Sequence, residues 1–204
     1  MFDDMLGVEA PEALLGKPAH DTMNQIDRRD LLRLGLVGIL GSIVPLMSSG
    51  SAMASNYAER RISFRQAHTG ESFNGVYRVG DRYLPEAFER MNYVLRDFRT
   101  REIFPMDPRV IDIISIIQSK IPGNDPLNIL SGYRSPKTNA MLRRASTGVA
   151  KNSFHMYGQA LDIRAQGYST RKIQGIAKSL RAGGVGYYSK SNFVHVDTGT
   201  VRSW

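Results

Sequence analysis

The chain has 204 residues, a net charge of +8 and no cysteine. This length suffices for one domain with its own core, and the lack of cysteine excludes disulfide bonds and thiolate metal ligands. Seven of the 19 acidic residues lie among the first 54 residues. Residues 55–204 are therefore more basic than the chain as a whole, which favours acidic partners. Nucleic acid is not the expected partner, because the basic residues are dispersed and no reader motif is present.

The first 54 residues have the pattern of an export signal. Arg28 and Arg29 form a twin arginine, residues 31–47 are almost entirely apolar, and A-M-A at residues 52–54 offers the small side chains that a signal peptidase accepts. We predict a twin-arginine signal peptide over residues 1–54 and a location in the bacterial periplasm or cell envelope. An uncleaved membrane anchor is the alternative. Because about 17 glycine-rich residues are few for a bilayer span, no stable membrane insertion is expected after cleavage.

A β-hairpin and two helices are predicted next. Apolar and polar side chains alternate over residues 61–78 around a turn, which is typical of two paired strands. We therefore assign residues 55–80 to an N-terminal β-hairpin extension and residues 81–204 to the main domain. Residues 84–101 and 110–121 carry apolar side chains at spacings of three and four, which predicts amphipathic helices that pack on the core.

Shorter elements complete the chain. Residues 127–130 form an apolar strand that leads into a turn with Arg134, and a brief basic helix is predicted from residue 136 to about 145. A last helix over residues 169–181 precedes a closing hairpin, whose second strand is residues 193–196. This order of elements predicts an α+β fold, with a small antiparallel sheet on which the helices pack.

Three residues have the types and settings of a metal site. His155 lies in a polar turn, Asp162 lies in a short apolar strand and His195 lies in a second strand. Adjacent strands can present side chains on one face. Two imidazoles and one carboxylate leave a fourth position for water, as in catalytic zinc sites, which favours hydrolysis. A non-haem iron oxygenase uses the same donors and is an alternative. His68 is expected to be structural, with a fourth ligand as the alternative.

Four ordered segments carry a resemblance to a known family. They are S-G-Y-R-S at 131–135, S-F-H-M-Y-G-Q-A-L-D at 153–162, R-A-G-G-V-G-Y-Y at 181–188 and S-N-F-V-H-V-D-T-G at 191–199. Together they resemble the M15 family of zinc peptidoglycan peptidases, and within it a branch of murein endopeptidases, over about residues 61–204. The resemblance implies a Hedgehog/DD-peptidase-like zinc peptidase fold.

The resemblance also implies roles for individual residues. His155, Asp162 and His195 match the positions that bind zinc in the family, so Zn²⁺ is the implied cofactor. Arg134 matches the position that contacts the substrate or the developing oxyanion. Residues 81–204 are then expected to be a zinc peptidase domain that acts, as a monomer, on peptidoglycan stem peptides and cross-links.

One departure from the family concerns the proton-transferring group. Many members of the wider group carry Glu three residues before the last ligand His, or His two residues before it, whereas Asn192 and Phe193 stand here. Asp197 follows His195 by two residues and therefore lies on the same strand face. We predict Asp197 as a catalytic acid or base, and a partner that orients the imidazole is the alternative.

The expected function is zinc-dependent hydrolysis of the peptide cross-links of murein. A non-catalytic zinc-containing peptidoglycan-binding protein, suggested by Asn192, and a murein carboxypeptidase are the alternatives. The cross-link, D-Ala to diaminopimelate or diaminopimelate to diaminopimelate, is left open. Ser153 is expected to order the metal loop, and Tyr187 and Tyr188 are expected to line the cleft, with simple packing as the alternative.

Overall fold

The computed structural model describes residues 58–146 and 148–204. The predicted signal peptide over residues 1–54, with its cleavage after Ala54, lies outside the described residues. Within the described part, no helix combines the length and the apolar character that crossing a membrane requires.

Eight strands, four α-helices and one 3₁₀ helix make up the described part of the chain. In chain order they are β1 (Glu59–Gln66), β2 (Ser72–Val79), β3 (Arg82–Tyr83), α1 (Pro85–Val94), α2 (Pro108–Ser119), β4 (Leu127–Ser131), α3 (Pro136–Ala145), the 3₁₀ helix (Phe154–Tyr157), β5 (Ala160–Arg164), α4 (Thr170–Leu180), β6 (Gly184–Tyr188), β7 (Phe193–Asp197) and β8 (Arg202–Ser203).

The α+β class is confirmed, but the prediction of a small antiparallel sheet was wrong. All eight strands form one mixed sheet in the order β3-β2-β1-β4-β5-β7-β6-β8. The pairs β1/β4 and β6/β8 are parallel, and the other pairs are antiparallel. Between β1 and β4 the chain passes through two helices, a connection long enough to return in the same direction. Alternation of apolar and polar residues indicates that a segment is a strand, but it does not show which strands will pair with it.

The N-terminal hairpin has the predicted position. Its strands β1 and β2 pair from Glu59 opposite Val79 to Arg65 opposite Ser72. Strand β1 also pairs with β4, so the hairpin continues into the rest of the sheet. The boundary between residues 80 and 81 stays a prediction.

Helices α1, α2 and α4 pack on the sheet around one hydrophobic cluster. Helix α2 begins at Pro108, with Asp107 as the N-cap that accepts a hydrogen bond from the Arg109 amide, a strong start for a helix. Its residues Ile111, Ile114 and Ile117 are buried and form the predicted apolar stripe. Helix α1 ends at Val94, seven residues earlier than predicted, because the chain then turns toward the segment after β4.

The other face of the sheet carries polar groups. In β5, Leu161 and Ile163 belong to the hydrophobic cluster, so Asp162 between them points to the opposite face. The strand register places Asp162 opposite His195 on β7, and His195 opposite Gly186 on β6. Residues directly opposite each other project to the same side of a sheet. Two predicted metal ligands therefore lie side by side.

Candidate metal centre

The three predicted ligands meet at one point. Asp162 Oδ1 lies 3.3 Å from His155 Nε2 and 2.9 Å from His195 Nδ1. The ligand atoms of all three residues lie within 4.8 Å of one another, and all three side chains are buried. Two imidazole nitrogens and one carboxylate oxygen at this spacing are the donor set of a three-ligand catalytic metal site.

His155 is placed by the 3₁₀ helix and by the segment after β4. Its Nδ1 donates to the carbonyl oxygen of Gly132 at 2.8 Å, which fixes the tautomer and turns Nε2 toward Asp162. The 3₁₀ helix ends at Gly158 with φ 65°, and a Cβ at this position would lie 2.3 Å from the Pro105 carbonyl oxygen. Gly158 thus lets the loop before β5 pack closely enough to bring His155 to the sheet.

His195 is held between two carboxylates. Its Nδ1 faces Asp162, while its Nε2 lies 3.0 Å from Asp197 Oδ2. Asp197 is fully buried and accepts hydrogen bonds from the amides of Gly184 and Gly199 and from both terminal nitrogens of Arg202. Because these donors fix Asp197, it is well placed to orient His195.

The pKa shifts at the centre follow from this arrangement. Burial opposes ionisation of Asp162, but the charge of His155 and hydrogen bonds with both imidazoles outweigh it and hold the pKa of Asp162 well below its usual range. Burial also disfavours the charged form of His195, yet hydrogen bonds with Asp162 and Asp197 raise its pKa to about 9. Burial lowers the pKa of His155, against the opposing charge of Asp162. Because metal ligands must be deprotonated, a metal that binds here would displace the proton that the two carboxylates favour on His195.

Two glycines of β6 leave space for Arg202 and Trp204 beside His195. A Cβ on Gly184 would lie 2.4 Å from the guanidinium of Arg202, and a Cβ on Gly186 would lie 2.6 Å from the indole of Trp204. Arg202 and Trp204 thus occupy the space on the polar face that side chains at residues 184 and 186 would fill. The V-G-Y-Y motif in the sequence could have indicated this role, but the sequence does not show what covers the glycines.

Arg134 lies in the cleft beside the cluster. Its side chain is 12% exposed, and Nη2 lies 3.2 Å from Ser131 Oγ and 3.7 Å from Asp162 Oδ2. Nη1 lies 3.4 Å from the side-chain oxygen of Asn139. Burial lowers the pKa of Arg134, but arginine stays charged in proteins. These contacts hold a cation next to the predicted ligands.

The segment with Arg134 is fixed by contacts that sequence reasoning missed. Asp97 is 2% exposed and accepts a hydrogen bond from the Ser135 amide at 2.9 Å. The Tyr133 amide donates to the Leu95 carbonyl oxygen at 2.8 Å, and a Cβ on Gly132 would lie 2.3 Å from that same oxygen. The S-G-Y-R-S motif therefore contains a glycine that permits a close backbone contact and delivers a carbonyl to His155.

A cleft of about 320 Å³ opens over the cluster. Its walls include Arg134, His155, Asp162, His195, Tyr188, Phe193, Arg202, Trp204 and residues 148–150. A larger groove of about 630 Å³ lies beside β1 and α2, and no histidine is among its described lining residues. The smaller cleft is the better candidate for chemistry because it contains the cluster.

Some of the remaining residues named from the sequence line the cleft, and others lie outside it. Ser153 lines the cleft and precedes the 3₁₀ helix, and Tyr188 lines the cleft, whereas Tyr187 packs against the hydrophobic cluster. His68 stacks on Phe98 at a ring-centroid distance of 4.2 Å and is not among the three clustered residues.

The two positions that depart from the wider group have other contacts. Asn192 lies in the β6–β7 turn with φ 52°, and its side chain accepts a hydrogen bond from the Thr170 hydroxyl. Phe193 stacks on Tyr188 at 4.5 Å, on the wall of the cleft. Neither side chain can take up a proton.

Comparisons with known proteins identify the family of the chain. Residues 54–204 match a family model of M15 peptidases described as peptidoglycan L,D-endopeptidase MepK. The chain is 42% identical over 183 residues to a probable peptidoglycan L,D-endopeptidase MepK of Haemophilus influenzae, covering 89% of this chain and 98% of that protein. It is 40% identical over 178 residues to the peptidoglycan L,D-endopeptidase MepK of Escherichia coli K12, covering 87% of this chain and 97% of that protein. The resemblance is confirmed, and the chain belongs to this family of M15 peptidases.

Proposed function

We propose that the protein is a zinc-dependent peptidoglycan L,D-endopeptidase that hydrolyses peptide cross-links of the bacterial cell wall. The observation that carries the proposal is the buried cluster of His155, Asp162 and His195 at the floor of a cleft that also presents Arg134. The names of the relatives support the substrate and the bond type. The Hedgehog/DD-peptidase-like fold and a periplasmic location, reached by twin-arginine export, are part of the same proposal.

The donor set fits zinc. His155 Nε2, Asp162 Oδ1 and His195 Nδ1 would hold the ion, and each imidazole has an oxygen partner for its other nitrogen, as metal-binding histidines require. Bound zinc would supply the Lewis acidity that polarises a scissile carbonyl and acidifies water. Iron accepts the same three donors, so the metal content of the purified protein is the first measurement to make.

Arg134 is proposed to bind a substrate carboxylate or the oxyanion that develops at the scissile carbonyl. Its guanidinium is held by Ser131 and Asn139 on one side of the cleft, so little reorganisation is needed when negative charge develops. A planar fork of donors suits both kinds of oxygen group.

Asp197 is proposed to orient His195 and not to exchange protons with the substrate. Four donors occupy its oxygens, its side chain is fully buried, and the described residues that line the cleft do not include it. The geometry thus favours the orienting alternative over the acid or base role.

The L,D type favours one of the two cross-links. A diaminopimelate to diaminopimelate link joins an L-centre carbonyl to a D-centre amine, whereas a D-Ala to diaminopimelate link joins two D centres. We propose the first as the substrate and a monomer as the active form. The basic surface would add long-range attraction to the carboxylates of the polymer.

The test uses muropeptides of defined cross-link, with mass analysis of the products. Wild-type protein is expected to convert the L,D-linked dimer to monomers, to lose this activity with a chelator and to regain it with zinc. The variant His155→Ala should be inactive, and His68→Ala, which removes a histidine outside the cluster, should retain activity.

Two results would contradict the proposal. Zinc-containing wild-type protein that binds the dimer without cleaving it would indicate the non-catalytic alternative. Release of a terminal amino acid from uncross-linked stems, with intact dimers, would indicate a carboxypeptidase.

A further inference from the structure

Trp204 packs on strand β6 and is held there by side-chain and backbone contacts. A Cβ on Gly186 would lie 2.6 Å from its ring, so the indole covers the position that a side chain at residue 186 would occupy. Its Nε1 donates to the Tyr188 hydroxyl at 3.0 Å. The backbone of Trp204 pairs with that of β6, donating to the Val185 carbonyl and accepting from the Tyr187 amide. These contacts give the indole a defined position against β6.

The indole lies beside the candidate metal centre. Its ring centroid is 5.4 Å from that of His195, and it lines the cleft together with Tyr188. About half of the residue, 49%, is exposed. The metal ligands do not need the exposed part, because Asp162 and Asp197 already satisfy His195. A preformed apolar surface at this distance from reacting atoms is typical of a ligand pocket.

We propose that Trp204 and Tyr188 form an aromatic subsite for the methylene chain of the diamino acid next to the scissile bond. The inference deepens the proposed function, on which it rests, and makes these two residues determinants of specificity. Aromatic faces bind aliphatic chains through the large apolar area that they offer. Arg202 lies 5.0 Å from the indole centroid and is paired with Asp197, so a cation is already present at the ring. The remaining surface is suited to methylene groups.

Distance favours a side chain over a sugar. A group that touches Trp204 while the scissile carbonyl is at the cluster must lie within about one residue of the bond, since one residue spans roughly 3.3–3.6 Å. In a stem that is cross-linked at its third residue, the sugar is two residues further away. The side chain of the third residue itself is within reach.

The chain contains one tryptophan, so its emission reports this subsite directly. Zinc-loaded wild-type protein is titrated with the sugar-free stem tripeptide that ends in diaminopimelate, and with the same tripeptide that ends in alanine. We expect a saturable change in emission with the first peptide, and an apparent Kd for the second that is on the order of tenfold weaker. Equal Kd values, or binding detected by calorimetry without a change in emission, would overturn the inference.

Two variants test the subsite in catalysis. Trp204→Ala removes the indole. Gly186→Ala keeps the indole, but the added methyl group displaces it from its position over residue 186. Both should raise KM for the diaminopimelate-linked dimer on the order of tenfold, with a smaller change in kcat and unchanged zinc content. Tyr93→Ala removes an aromatic residue that is 50% exposed outside the cleft, and should leave KM unchanged.

The outcomes separate the two proposals. If Gly186→Ala cleaves the dimer with the wild-type KM, the subsite is wrong while the endopeptidase stands. If the wild-type protein cleaves nothing, the proposed function fails, and the tripeptide titration alone decides whether Trp204 binds the side chain.

Discussion

At the scale of single residues, Asp197 offers the sharpest prediction. Asp197→Asn should weaken zinc binding by about 10- to 100-fold, because the neutral amide orients His195 less strongly and pairs less well with Arg202. Competition with a chromogenic chelator measures the affinity, with the exposed Asp81→Asn as the control. If the Asp197→Asn variant binds zinc as tightly as the wild type but loses turnover, the result would instead support Asp197 as a catalytic acid or base.

Residue types predicted the three clustered residues but not the contacts that support them. Two histidines and an aspartate beside predicted strands are chemically distinctive, so His155, Asp162 and His195 could be named from the sequence. Asp97 could not, because its partner Ser135 is 38 positions away and nothing local signals the contact. The role of Gly186 could not be predicted either, because the indole that packs over it comes from Trp204, which approaches only in the folded chain.

At the scale of elements, the junction between α1 and the segment after β4 should depend on pH. Burial opposes ionisation of Asp97, but hydrogen bonds from Thr138 and Ser135 outweigh it and lower its pKa from 3.8 to about 2. A lowered pKa stabilises the fold above the unfolded value, and this contribution disappears as the pH falls from about 4 to about 2. We expect it to be worth about 2 kcal/mol.

The measurement for this junction is urea unfolding of wild type and Asp97→Asn between pH 2 and 7. The difference in free energy of unfolding should be full above about pH 4 and should shrink toward pH 2. A difference that does not vary with pH would show that the carboxylate charge is not what holds Ser135.

Individual elements were easier to predict than their arrangement. Hydrophobic periodicity located the hairpin, the helices and most of the strands, because each element must bury one face, although α1 ends seven residues earlier than predicted. The parallel pairing of β1 with β4 could not be read in this way, since it joins segments separated by two helices. It depends on tertiary contacts, among them the packing of α1 and α2 on the sheet, that the local pattern does not show.

At the scale of the whole molecule, metal binding should contribute to stability. The cluster joins β5, β7 and the 3₁₀ helix, and unfolding separates these ligands. Free zinc at about 100 times its Kd should then stabilise the fold by about 2.7 kcal/mol. Thermal unfolding with zinc and with chelator measures the shift in Tm. His155→Ala should lose most of this shift, whereas an equal shift in that variant would place the ion elsewhere.

The pairing of Arg202 with Asp197, the partner of His195, has a consequence for biosynthesis. Arg202 neutralises the buried carboxylate that orients His195, and Trp204 covers the adjacent strand. A ribosome delivers these residues after all three ligands have been made. A nascent chain that still lacks them leaves the Asp197 charge without its guanidinium, and such a charge is costly to bury. We therefore expect hydrolytic capacity only after residues 202–204 have been translated.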